Sequence, residues 1–213
     1  MRHLLILLFA LAILPACAPS TRNPGVLPSP TLAILPTETS TPVPLAQILA
    51  DFPLALGATW TYSGRISYED PADPSKVLSW EGELIDKVTD RKSTPEGAIV
   101  FTVQEELEPK PPEQAWRQPG TFEYTVAGDG VYVGDRKIYQ WPLEDNLMWE
   151  AFSTYGYEVF AQRIAEVNTP YGKLENCYAL TLSTNPDTSL NTFCPGIGFV
   201  AYFYQHHGTL QDE

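Results

Sequence analysis

The chain has 213 residues, 26 acidic against 13 basic side chains, and a net charge of −13. A surface of that sign repels phosphate backbones and anionic headgroups, so nucleic acid is excluded as a partner and charge-driven adhesion to anionic lipid is unfavourable. Residues 1–16 open with Arg2 and continue through an uncharged apolar run from Leu4 to Leu14. Eleven residues fall well short of the roughly 18–20 needed to cross ~30 Å of hydrocarbon as a helix, so the segment reads as a cleavable signal peptide rather than a permanent span.

The run closes on Leu14-Pro15-Ala16-Cys17. This ending resembles the bacterial lipoprotein signal: an aliphatic residue, a variable one, a small one, then a cysteine. The resemblance implies that Cys17 becomes the acylated first residue of the mature chain, because a thiolate is the side chain able to take a diacylglyceryl group as a stable thioether. Two or three acyl chains hold durably where one binds only marginally. The expected location is therefore outside the cytoplasm, lipid-anchored to the outer face of the plasma membrane or to the outer membrane. Loss of Arg2 with the leader takes the mature charge to −14.

Residues 17–45 follow as the lipidated N-terminus and its tether. From Ala18 to Leu45 the chain carries seven prolines, five threonines and three serines without apolar periodicity, which predicts an extended linker with no core of its own. Leu45 to Phe52 has apolar residues near helical spacing and is expected either as a short helix or as a segment docked against the domain edge.

Residues 46–213 form the expected globular domain, mainly β with at most short helices. Trp60, Tyr62, Ile66 and Tyr68 alternate with polar residues. So do Leu78, Trp80 and Leu84, and Phe122, Tyr124 and Val126, while Ile99, Phe101 and Val103 recur at the same period of two. These runs predict half-buried antiparallel strands. Turn residues separate them at Asp70 to Pro74, Thr94 to Gly97, Gly128 to Gly130 and Gly134-Asp135. A faint internal echo places Trp60 seven residues after Pro53 and Trp149 seven after Pro142, as two related half-sheets would.

With Cys17 lipidated, Cys177 and Cys194 remain as an even pair in an oxidising compartment. The run after Cys177, the turn at Asn185-Pro186-Asp187 and the run from Asn191 predict a hairpin that sets the two cysteines opposite each other, joined as a disulfide.

The folded part also resembles a loosely defined group of uncharacterised bacterial lipoproteins. Pro53-Leu54-Ala55-Leu56-Gly57-Ala58-Thr59-Trp60-Thr61-Tyr62 is similar to their opening, and Pro195-Gly196-Ile197-Gly198-Phe199-Val200-Ala201-Tyr202 to their close. Thr169 to Leu174 and Cys177 are similar to a segment between. The resemblance implies an antiparallel sheet curved into a half-barrel and carries no activity.

No Gly-x-Ser-x-Gly, P-loop, dinucleotide-binding fingerprint or His-Glu-x-x-His occurs, so no catalytic residue and no cofactor is assigned. His206-His207 ends what reads as the last strand. Neighbours on a strand point to opposite faces and no further ligand stands at the right spacing, so no metal is assigned. Glu81 with Glu83, and Glu105-Glu106 with Glu108, read as solvated acidic faces rather than as a glycosidic pair. The five tryptophans and eleven tyrosines supply the core and, where the sheet curves, an aromatic wall suited to a lipid, a glycan or an apolar peptide. Trp116 and Trp141, beside proline-containing loops, are the expected binding surface. The function expected is a membrane-anchored module for an unknown lipid, glycan or protein ligand; the alternatives are a small envelope hydrolase and a purely structural envelope protein.

Overall fold

The computed structural model describes residues 45–206 and 210–212. The expected signal peptide, Cys17, the tether before Leu45 and His207 lie outside the described residues. Among the described residues, no helix is long and apolar enough to cross a membrane.

A helix, α1 (Leu45–Asp51), precedes a first run of six strands: β1 (Thr59–Asp70), β2 (Asp73–Ser93), β3 (Ile99–Glu108), β4 (Gly120–Ala127), β5 (Gly130–Val133) and β6 (Arg136–Gln140). A second run comprises β7 (Met148–Glu150), β8 (Glu158–Thr169), β9 (Gly172–Ser183), β10 (Thr188–Cys194), β11 (Gly198–His206) and β12 (Leu210–Asp212). Within each run every strand pairs antiparallel with the next, and β1 also pairs with β12. The result is one sheet in the order β6-β5-β4-β3-β2-β1-β12-β11-β10-β9-β8-β7, curled into a half-barrel. The two tryptophans of the sequence echo, Trp60 and Trp149, stand in β1 and β7, the opening strands of the two meanders.

Alternation explains the curl. Trp60, Tyr62, Ile66 and Tyr68 of β1, Trp80, Leu84 and Val88 of β2 and Ile99, Phe101, Val103 and Leu107 of β3 recur at period two on one face, so that face of the sheet is driven out of water. Register shifts at Glu69/Asp70, Val88/Asp90, Val131/Tyr132 and Thr192/Phe193 add local twist. The curl is tight enough that the two edges touch. Arg136 bridges to Phe152, the Lys137 N–H donates to the Ala151 carbonyl at 2.8 Å, and the Trp149 indole N–H donates to the Lys137 carbonyl at 3.1 Å.

The helix fills one end of the interior, here termed the floor. Leu45, Ile48, Leu49 and Phe52 fall at i, i+3, i+4 and i+7, which aligns them on one stripe, and Ile48 and Phe52 are buried. Phe52 meets the rings of Tyr124, Tyr139, Phe193 and Phe199 at 5.4–6.3 Å, from β4, β6, β10 and β11. The segment is thus a helix and also docks, inside the curl rather than at its edge. Gly196 N–H donates to the Asp51 carbonyl at 2.8 Å, and the Tyr139 hydroxyl donates to the Asp51 carboxylate at 3.1 Å, fixing the helix end to the wall.

Cys177 and Cys194 form a disulfide across the β9–β10 hairpin, as expected. The ladder pairs Phe193 with Tyr178 and Thr192 with Ala179, so the next step brings Cys194 opposite Cys177. His206 does not end the last strand: β12 follows and pairs Leu210 with His206. That short strand lacks the alternating apolar run by which the others were readable.

Two outcomes follow for stability. Phe52→Ala, which empties the centre of a four-ring cage, lowers unfolding free energy by about 3–5 kcal/mol in denaturant titration. The double variant Cys177→Ser with Cys194→Ser lowers it by about 3 kcal/mol, and peptide mapping without reduction recovers the two wild-type peptides linked.

Candidate functional site

The inner face of the sheet changes character along the strands. At the floor lie Val88, Phe101, Val103, Val126, Val131, Leu180 and Phe193, all almost fully buried. At the other end of β1, β2 and β3 a second apolar cluster comprises Ile66, Tyr68, Trp80, Leu107 and Ala115. Gly82 lets that cluster form: a side chain there would collide with the Trp80 ring and the Glu108 carbonyl, and the ring instead lies flat so that its N–H reaches the Pro109 carbonyl at 2.7 Å. Between the clusters runs a polar belt.

Asp86 and Glu105 face each other across the β2–β3 ladder, both pointing inward. Glu105 is 4% exposed and both its oxygens accept from Arg117, at 2.6 and 3.3 Å. Arg117 arrives from the β3–β4 connection, residues 109–119, which folds over the second cluster and is braced by the Gln118 amide donating to the Pro112 and Ala115 carbonyls. Its guanidinium also lies 5.2 Å from the Tyr202 ring, and Trp116 beside it packs on Tyr204 at 4.8 Å. The connection therefore spans from β3 to β11 across the interior.

Asp86 has no such ion pair of its own. Desolvation, reinforced by the negative charge of Glu105 and partly offset by Arg117, pushes its carboxyl up to about 6. The same desolvation, with Asp86 nearby, raises the Tyr62 and Tyr124 phenols well above their usual range. Tyr62 donates to the Phe199 carbonyl at 3.1 Å. On the far wall stand Arg136, Ser189, Asn191 and Tyr202, with the Arg136 Nη2 donating to Ser189 Oγ at 3.5 Å and its charged group 5.9 Å from the Phe152 ring. Burial lowers the Arg136 pKa from its ordinary value.

Along this belt Tyr62, Asp86, Tyr124, Arg136, Asn191 and Tyr202 are only half-buried, although they face the interior. The interior is thus packed solid at the floor and less completely buried above it, and this upper end is termed the mouth.

The expected residues fall as follows. Trp116 is 40% exposed and sits at the mouth against Tyr204. Trp141 is half-buried against the floor core, beside the β4–β5 turn, where its N–H donates to the Asp129 carbonyl. The two flank opposite ends of β4, roughly 25 Å apart at ~3.3 Å per residue, and do not share one surface. Glu81, Glu83, Glu106 and Glu108 are exposed as a solvated face, but Glu105 is not among them. Its alternation with Phe101, Val103 and Leu107 turns it inward, and the same alternation with Leu84 and Val88 turns Asp86 inward. The His206 Nδ1 contacts the Asp187 carboxylate. Among the described residues no group of three or more His, Cys, Asp or Glu is placed to hold a metal ion. A shallow hollow of about 420 Å³ beside Met148, Glu158, Phe160 and Thr181 lies on the outer face and joins none of these groups.

Because the Asp86 carboxyl titrates near 6 in the folded chain and near 3.8 when unfolded, it favours the folded state fully at low pH and loses that contribution as pH rises through about 6. Asp86→Asn therefore flattens the stability profile between pH 4 and 6 and raises the melting temperature at pH 7.5. The gain is up to about 2–3 kcal/mol, read by thermal melts across that range.

Comparison of the chain with known protein families, with characterised proteins and with solved structures finds no match in any of the three.

Proposed function

We propose that the protein is a membrane-anchored cell-envelope lipoprotein, held through Cys17, whose half-barrel receives a ligand at its mouth. One observation carries this reading: Tyr62, Asp86, Arg136, Asn191 and Tyr202 face inward yet stay half-buried at the mouth, while the side chains at the floor are sealed. A purely structural sheet gains nothing from inward charges, since burying them without need is costly. Tyrosine rings with hydroxyl tips suit a ligand that has both apolar and polar parts. The tether, about 28 residues of proline-rich chain, gives reach away from the membrane.

The hydrolase reading draws on the Asp86–Glu105 pair, two facing carboxyls of which Asp86 has a raised pKa, since acid–base catalysis needs a carboxyl so tuned. Arg117 weighs against it. Both Glu105 oxygens are occupied by that guanidinium and the residue is almost fully buried, so no second carboxylate is left to act on a substrate or water. A binding module is the better fit.

Substituting Cys17→Ser shifts the protein from the membrane to the soluble fraction, and equal fatty-acid labelling of wild type and variant defeats the anchor. For the mouth, native mass spectrometry of wild type isolated from its own membranes finds a bound small molecule. Tyr202→Ala with Tyr204→Ala lowers its occupancy about tenfold while the fold, checked by circular dichroism, persists. Occupancy unchanged in that variant removes the mouth as the site.

A further inference from the structure

Arg136 and Arg117 enter the same interior in different company. Arg117 is met by Glu105. Among the described residues, Arg136 has no carboxylate against it: its one polar contact is Ser189, the groups it feels electrostatically are the phenols of Tyr202 and Tyr124, and its Nε–H is buried without an acceptor. Phe152 takes one face of the guanidinium, which orients it without neutralising it.

A cation drawn out of water and left without a counter-charge is unfavourable unless something supplies one. The edge of a guanidinium formed by Nε–H and Nη2–H is a fork that fits the two oxygens of a carboxylate or phosphate. On Arg136 one prong is unused and the other has only a long contact, at 3.5 Å, to a hydroxyl that can itself donate to the same anion. Asn191, two residues from Ser189 on the same inward row, has a buried amide oxygen without a partner; as an acceptor it offers the oxyanion nothing, so the head is held by Arg136 and Ser189 alone. Around these groups the mouth is aromatic: Tyr62, Tyr124, Tyr202 and Phe152, with Trp116 on Tyr204 at the rim.

We propose that the mouth binds an amphiphile with an oxyanion head, a carboxylate or phosphate monoester, the head seated on the Arg136 fork and Ser189 hydroxyl and the apolar body against the tyrosine rings. This rests on the binding reading above and narrows it to a ligand class. It also runs against the long-range field of a chain of net charge −13, so affinity for the head must come from Arg136 locally rather than from the surface at large.

Decanoate, decyl phosphate and decan-1-ol, each below its micellar concentration, are titrated by calorimetry into the full-length Cys17→Ser chain, which lacks acyl chains of its own that would compete. Both anions are expected to bind at least about tenfold more tightly than the alcohol, and Arg136→Gln to abolish that advantage while leaving alcohol binding unchanged. Arg136→Lys restores part of the phosphate affinity and less of the carboxylate affinity, since an ammonium is a point charge without the fork. Equal binding of all three probes to wild type overturns the oxyanion assignment and leaves the mouth as a binding site. Binding of none overturns both. An anion advantage that survives in folded Arg136→Gln removes Arg136 from the site. Should Arg136→Gln fail to fold, Ser189→Ala decides: a several-fold loss of the anion advantage supports the assignment, and an unchanged advantage overturns it.

Discussion

The cage around Phe52 is the contact on which the rest of the half-barrel depends. A curled sheet has an inner face that its own side chains do not fill, and a helix of about two turns does so here. Four rings from strands far apart in the sheet order, β4 and β6 on one flank and β10 and β11 on the other, converge on one phenyl group. Aromatic pairs at these separations add to the burial itself, and together they hold the two flanks at a fixed spacing. The belt above the floor inherits that spacing, including the distance across which Arg136 on β6 reaches Ser189 on β10.

The polar belt is affordable because of what lies on either side of it. Apolar clusters below and, on β1 to β3, above it supply the burial, so the belt need not contribute stability and is free to carry charge. Asp86 shows the strain in that arrangement, since its carboxyl is held near 6 by lost hydration and a neighbouring carboxylate. Glu105, directly opposite on the ladder, takes the hydrogen bonds of Arg117, which only partly offsets the lost hydration at Asp86.

Much of the architecture was legible from period-two alternation and turn residues: most of the long strands, the antiparallel class, the β9–β10 hairpin and the disulfide it positions. β12 was not, because it is three residues long and its sequence, Leu210-Gln211-Asp212, is too short to carry an alternating apolar run. The belt was partly legible. Alternation through Phe101, Val103 and Leu107 places Glu105 inside, yet Glu106 and Glu108 on either side draw it into an apparent acidic surface run. Arg117 and Arg136 gave no local signal, since their roles are set by groups 12 and 53 residues away in sequence. Trp116 and Trp141 share composition and loop context, and only the strand between them shows that they belong to opposite ends.

An open sheet ends in two rows of unpaired N–H and C=O groups, and such rows are templates on which other chains can add strands. Here the edge strands are short, five residues in β6 and three in β7, and at the seam the two residues after β7 meet β6, Ala151 accepting from the Lys137 N–H and Phe152 bridging Arg136. A neighbouring copy finds little backbone to pair with, so molecules crowded side by side resist assembling into a continuous sheet.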